Sequence, residues 1–319
     1  MSRLITTHAL RRTTSPAGLW LLSAPDAPEM APLRVYVPCD AQTMPGFNGY
    51  AGTLRYEKQI TCAGTLRILT KTDGASRMLL DGEEIASGEG WLEALVYDLP
   101  YEEHTLVIEA VRSGVIRPVE IEQMGSAYIS DMKINTRRQG RLWLCTVEVT
   151  VTSLSDEAQT FDLDVEAGPA GTRWEELLLP AHGTTTLRRT IPAPMAKRWS
   201  PARPVLYKAS AVLWLDGEPA DDLRDRFGFC QTSIENGAPV VNGERIEGEV
   251  IFREEVSDSL GRIVPPQTAV CEALLLKQQG YAAVRTGDDE IFLDACDEIG
   301  MMVVTDGCAG NHPCAARRS

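Results

Sequence analysis

Residues 268–306 read TAVCEALLLKQQGYAAVRTGDDEIFLDACDEIGMMVVTD, and the order of elements in this stretch decides the class of fold. From Ala269 to Gln279, Val270, Ala273, Leu274 and the stem of Lys277 recur at helical spacing, and Gly280 follows as a frequent helix end. Tyr281–Arg285 is a short apolar run of strand type. Asp288–Ile299 is a second amphipathic helix, acidic in its first turn where the helix dipole favours negative charge, and closed by Gly300. Met301–Val304 is a further strand. Strand, crossover helix and strand make a βαβ unit, from which parallel sheets and β/α barrels are built. Only about a dozen residues follow Asp306, too few to finish such an architecture.

Upstream the pattern is all-β. Leu33–Val37, Thr53–Ile60, Gly64–Thr70, Ser76–Leu80, Leu92–Leu99, His104–Ala110 and Val119–Gln123 alternate or are rich in β-branched residues, with turn signals at Asp73-Gly74, Asp81-Gly82 and Ser87-Gly88. Short strands at this spacing predict a sandwich or jelly roll over residues 1–125. A second set follows over 126–229: Tyr128–Asn135, Arg141–Thr152, Thr160–Glu166, Trp174–Leu179, Thr184–Ile191 and Leu206–Leu215. Within it Trp143, Cys145, Val147, Val149 and Val151 alternate with largely polar neighbours, as one buried face of an immunoglobulin-like sandwich requires. Past Phe229 a short strand pair around Asn242-Gly243 leads into the helices.

The 319 residues carry a net charge of −14, which argues against nucleic acid or an anionic membrane as partner. No apolar run approaches the ~18 residues of a membrane span, and the N-terminus lacks the apolar core of a signal peptide. The eight cysteines are scattered without a CxxC, so buried free thiols in a reducing, cytoplasmic setting are expected, with no disulfide framework. Cys308, His312 and Cys314 have metal-ligand chemistry but sit in a small basic tail with no apolar pattern; no metal site and no cofactor are expected.

Several motifs, in order, resemble glycoside hydrolase family 2, the β-galactosidase, β-glucuronidase and β-mannosidase group. They are Gly49-Tyr50-Ala51-Gly52 with Leu54-Arg55-Tyr56, the Asp81–Ile85 hairpin, and Trp199-Ser200-Pro201 with Pro204, Leu206 and Tyr207. Arg226-Phe227-Gly228-Phe229 follows, with Cys230 where the family has arginine, then Val241-Asn242-Gly243-Glu244. Last come Val284-Arg285-Thr286 and Leu293–Gly300. The resemblance implies a jelly-roll sugar-binding domain (1–125), an immunoglobulin-like domain (126–229) and the start of a (β/α)8 barrel (230–319).

The same resemblance implies retaining hydrolysis of β-linked sugars by two glutamates about 5–5.5 Å apart. In the family these follow the fourth and seventh barrel strands, whereas the sequence reading ends this chain after the second. The expectation is therefore a truncated, catalytically silent member. No catalytic residue is assigned, and the tail 307–319, which departs from the family, suggests a shifted reading frame. The resemblance points to Arg285 and Asp306 as candidate substrate-binding residues. The ordinary reading of Arg285 is an ion pair with Asp306 or Asp297, and that of Asp288, Asp289 and Glu290 is charge at a helix start. After Arg285-Thr286 and after Gly248 the turns lack the histidines usual in the family. The rival reading is a non-catalytic carbohydrate-binding or structural sandwich. Open edges on an unfinished barrel also predict self-association.

Overall fold

In the computed structural model, which describes residues 7–111, 114–236, 238–254, 261–287 and 289–305, the chain is mainly β. The first core is built on the hairpin Thr53–Leu80 and Glu83–Val111. Sequence reading divides each arm into separate strands, but the ladder continues through bulges. Gly64 and Gly74 take φ of 84° and 83°, so the arm bends at residues that carry no steric penalty there. Thr53–Cys62 then pairs with Glu102–Val111, and Leu66–Lys71 with Trp91–Val96. Trp20–Ser23 and Leu33–Val35 add to this sheet, and the short Thr13–Thr14 pairs with Glu120–Gln123. Trp20, Leu22, Leu54, Tyr56, Ile68 and Met78 fill the interior, each at 2% exposure or less.

The second core lies between a three-stranded sheet (Thr184–Ala193, Leu142–Ser153, Ala127–Gln139) and a four-stranded one (Ala170–Leu179, Gln159–Ala167, Tyr207–Leu215, Glu218–Phe227). Cys145, Val147, Val149 and Val151 are fully buried, as the alternation requires, and each such valine contributes about 1.5–3 kcal/mol on burial. On the outward face Thr146 and Thr150 hydrogen-bond across the ladder to Thr190 and Thr186. Glu218–Phe227 has no counterpart in the strand pattern read from the sequence, because two of its residues, Asp221 and Asp222, are buried aspartates.

Beyond it, Thr232–Glu235, Ala238–Val241 and Glu244–Arg245 form a small antiparallel sheet. The chain then alternates strand and helix: Val250–Phe252, α1 (Pro266–Gln278), Ala283–Thr286, α2 (Glu290–Ile299) and Met302–Thr305. The three strands pair in parallel with Ala283–Thr286 in the middle. The count of two parallel strands read from the sequence is thus corrected to three. Val250–Phe252 is only three residues long and is followed by Arg253-Glu254, so it reads as a polar turn.

Two details of the helices also differ from expectation. α1 buries Ala269 and Ala273, while Leu274 and Leu275 are 41% and 56% exposed, so its packed face is narrower and turned from the one expected. α2 starts two residues later than read, because Asp289 is its N-cap, accepting from Phe292 N, and it ends at Gly300 in the left-handed region (φ 81°). Ile251, Val284 and Val303 pack under the helices, whereas Ala283, Met302 and Val304 turn to the other face against Trp199, Cys230 and Val241.

Candidate functional site

Side chains alternate along a strand, so the parallel sheet separates two groups at its C-terminal edge. Phe252, Arg285 and Val304 stand opposite one another in register on the face away from the helices. Phe252 is 65% exposed and Arg285 is exposed as well, while the layer beneath, Ala283 and Met302, is buried. Asp297 sits on α2, behind the other face of the sheet, and Asp306 lies outside the described residues. Sequence reading placed Arg285 at a strand end; it did not find Phe252 beside it.

On the helix side, Arg253 lies buried over the Phe292 ring, 3.9 Å from its centroid. Its guanidinium reaches Glu272 (2.9 Å) and Asp289 (3.2 Å), and Nη1 lies 3.5 Å from the Thr286 hydroxyl. Asp289 also accepts from Arg117 Nη2 at 2.9 Å, a bond that ties a loop of the first core to the start of α2 across 172 residues. Asp289 therefore stands at a helix start, as the sequence suggests, but as its cap, and it also joins two parts of the chain. Nearby, Arg262 Nε pairs with Asp73 at 3.1 Å, and its backbone N–H donates to Asp40.

These contacts enclose a cavity of about 340 Å³ walled by Lys71, Arg117, Arg262, Asp73, Glu89 and Asp289 among others. Lys71 and Arg117 are 8% and 3% exposed, so two cations are held at its wall with little water around them. The pocket is polar and balanced in charge, able to take a hydroxyl-rich ligand of monosaccharide size. Arg117, Arg253 and Lys71 escaped the sequence reading because each belongs to a segment of ordinary strand or turn character.

A second cluster joins the two sandwiches. His8, Asp221 and Asp222 bring ligand-type atoms within 4.8 Å of one another, all buried. Their capacity is already used: Asp222 accepts from Ala9 N, Leu10 N and Arg224, and Asp221 accepts from Arg11 and Ile129 N. With the Arg11 cation alongside, the group is a structural lock and a poor cation site. His8 and His104 are buried and bonded to Asp222 O and Asp81, and Trp20, Trp143 and Trp199 are core residues.

All six described cysteines are free. Burial pushes the thiols of Cys39 and Cys145 up to about 11 and about 12, unsuited to nucleophilic work. Cys308, His312 and Cys314 lie outside the described residues. No helix among the described residues is long and apolar enough to cross a membrane.

Comparison with known proteins fits this anatomy. Residues 127–229 match the family described as "Glycosyl hydrolases family 2". A β-galactosidase of Psychromonas ingrahamii is 24% identical over 217 residues, covering 63% of this chain and 21% of the relative. The crystal structure of a GH2 β-galacturonidase from Eisenbergiella tayi, bound to galacturonate, superposes with a TM-score of 0.88 at 26% identity, over 96% of this chain and 59% of that one. A β-glucuronidase of Bacteroides uniformis shares the fold (TM-score 0.79, 16% identity, 92% of this chain, 42% of that one). The chain thus spans about a fifth of the curated relative and under two thirds of the first of these structures.

Proposed function

We propose that this chain, whose residues 127–229 match glycosyl hydrolase family 2, belongs to that family and is the N-terminal part of a retaining β-glycosidase, silent by itself. On this reading residues 1–125 are the jelly-roll domain, 126–229 the immunoglobulin-like domain and 230–319 the opening β/α units of a barrel. The observation that carries it is the uncovered row Phe252–Arg285 at the C-terminal edge of the parallel sheet, where barrel enzymes place substrate. Phe252 offers a sugar ring a stacking face, and Arg285 offers donors to its oxygens. Asp306, directly after the third parallel strand, is proposed for the same edge.

Family 2 chemistry needs one carboxylic acid to protonate the leaving oxygen and one carboxylate to attack the anomeric carbon. The carboxylates described near this edge, Asp289, Glu272 and Asp73, are each bound by a guanidinium, an arrangement that positions loops rather than one that transfers protons. The catalytic pair is therefore assigned to later β/α units. Both outer strands of the parallel sheet have a free edge among the described residues, where such units would add. The six free thiols accord with a cytoplasmic protein.

The test is turnover by the purified 319-residue chain of nitrophenyl β-galactoside, β-glucuronide, β-galacturonide and β-mannoside. No release of nitrophenol is expected. Steady turnover of any of them, lost on substituting Arg285 but not on repurification, would overturn the reading.

A further inference from the structure

A groove of about 1040 Å³ runs between the two sandwiches, on a part of the molecule that the glycosidase reading leaves unused. One wall carries Tyr97 and Asp98 from the first core, and the other carries Ser155, Asp156, Glu157 and His182 from the second. Main-chain bonds within each part hold the segments that line it: Met124 N to Thr65 O (2.9 Å) in the first, and Leu154 N to Ser126 O (2.8 Å) and His182 N to Ser155 O (3.1 Å) in the second. The lining segments are therefore held in place, and a ligand would not have to order them.

Its chemistry narrows the occupant. The Tyr97 ring is 51% exposed, an aromatic face left in water beside a polar trough. Asp98 and Glu157 line the groove, and Asp156 is engaged by His182 Nε2 at 2.8 Å. Three carboxylates against a single imidazole repel anionic ligands, including uronates, nucleic acid and phosphates. Carboxylate, hydroxyl and imidazole groups together hydrogen-bond well to sugar hydroxyls. Only Met124 and Leu154 add large aliphatic side chains, too few for a lipid or an apolar peptide.

We propose that this groove binds a neutral oligosaccharide, with one pyranose ring stacked on Tyr97 and its hydroxyls bonded to Asp98, Ser155 and Glu157. Such a site anchors the protein to a glycan independently of any turnover. It does not rest on the glycosidase reading, because its assay is binding alone.

The test is calorimetric titration of the full 319-residue chain with neutral tetraoses (β-1,4-linked galactose and glucose, α-1,4-linked glucose) and with tetragalacturonate. At least one neutral tetraose binds, and tetragalacturonate binds at least about tenfold more weakly. Tyr97→Ala weakens the neutral ligand about five- to tenfold, the range expected for loss of one aromatic contact, while Tyr97→Phe keeps it. Tyr97 lies at the surface, so an unchanged melting temperature separates loss of the site from loss of the fold. The proposal is overturned if no neutral tetraose binds, if Tyr97→Ala binds as well as the parent, or if tetragalacturonate binds equally well.

Discussion

Arg11 grips Asp221 through two parallel bonds, Nε to Oδ1 at 3.1 Å and Nη2 to Oδ2 at 2.7 Å, although 210 residues separate them. Both side chains are almost wholly buried, and Arg11 Nη1 also reaches Glu122 at 2.8 Å. Burial lowers the affinity of the guanidinium for its proton, yet the hydrogen bond and charge of Asp221, with Glu122, more than offset it. One N-terminal residue thus ties the second sandwich to the last strand of the first.

Arg11→Met should therefore leave the buried Asp221 without its counterion, while Glu122 keeps Arg67 at 3.0 Å. Removing one partner from a buried pair costs about 3–5 kcal/mol, and urea unfolding should show a loss in that range. Adding Asp221→Asn to the variant should recover part of it. A loss under about 1 kcal/mol for Arg11→Met would mean that the lock does not hold the sandwiches together.

Two histidines should bend the pH dependence of stability in opposite directions. Burial first, and then the Arg11 cation, hold the His8 imidazole below its ordinary 6.5. The unfolded chain then binds this proton more readily, so the fold loses stability as pH falls below about 6.5. His104 is raised, first by its bond to the Pro100 carbonyl and next by Asp81. Its contribution is fully present below about 6.5 and is lost as pH rises through its folded value. Between pH 7.5 and 5.5, His8→Gln should lose less stability than the parent and His104→Gln should lose more. Parallel curves for all three proteins would refute both assignments.

Asp289→Ala should act at a distance. The change removes the cap of α2 and leaves the buried Arg117 and Arg253 without their shared carboxylate. The expected loss is about 3–5 kcal/mol by urea unfolding. Limited proteolysis should also cut sooner between the first core and α2. Intact protection would mean that the Arg117 contact does not bind these parts together.

The open parallel sheet should make the protein sticky. Val250 and Phe252 on an outer strand, with Leu274 and Leu275 on α1, are between 39% and 65% exposed. Light scattering at tens of micromolar is expected to show dimers or larger species, reduced in Phe252→Lys/Leu275→Lys. A monodisperse monomer at that concentration would refute this.

What the sequence shows and what it hides have the same physical origin. Val147, Val149 and Val151 announce their strand because local alternation alone decides their burial. Glu218–Phe227 stays hidden because Asp221 and Asp222 are made tolerable inside by Arg11, Ala9 and Leu10, over 200 residues upstream. Arg117 is hidden likewise, since only the folded chain brings it to Asp289. Arg285 is legible through its neighbours Val284 and Thr286, but the exposed Phe252 beside it belongs to a strand too short to show periodicity.

Four of the segments that carry the family resemblance meet at one junction, and Trp199 is its centre. Its side chain is fully buried, and Nε1 donates to the Asp297 carbonyl on α2 at 2.9 Å. Its own N–H donates to Phe229 O, and its carbonyl accepts from Asn242 Nδ2 at 2.8 Å. Gly228 passes so close that an added Cβ would lie 2.9 Å from Trp199 Cβ. The Trp-Ser-Pro, Phe-Gly-Phe, Asn-Gly and Cys-Asp-Glu segments thus meet around one indole, which joins the second sandwich to the parallel unit. Trp199→Ala should cost about 3–5 kcal/mol through the cavity and lost packing. Trp199→Phe should cost about 1–3 kcal/mol, chiefly from the unpaired Asp297 carbonyl. If the indole is the joint, residues 230–305 should become protease-sensitive in Trp199→Ala while 127–229 stay protected. Simultaneous loss of protection in both parts would instead make Trp199 part of one undivided core.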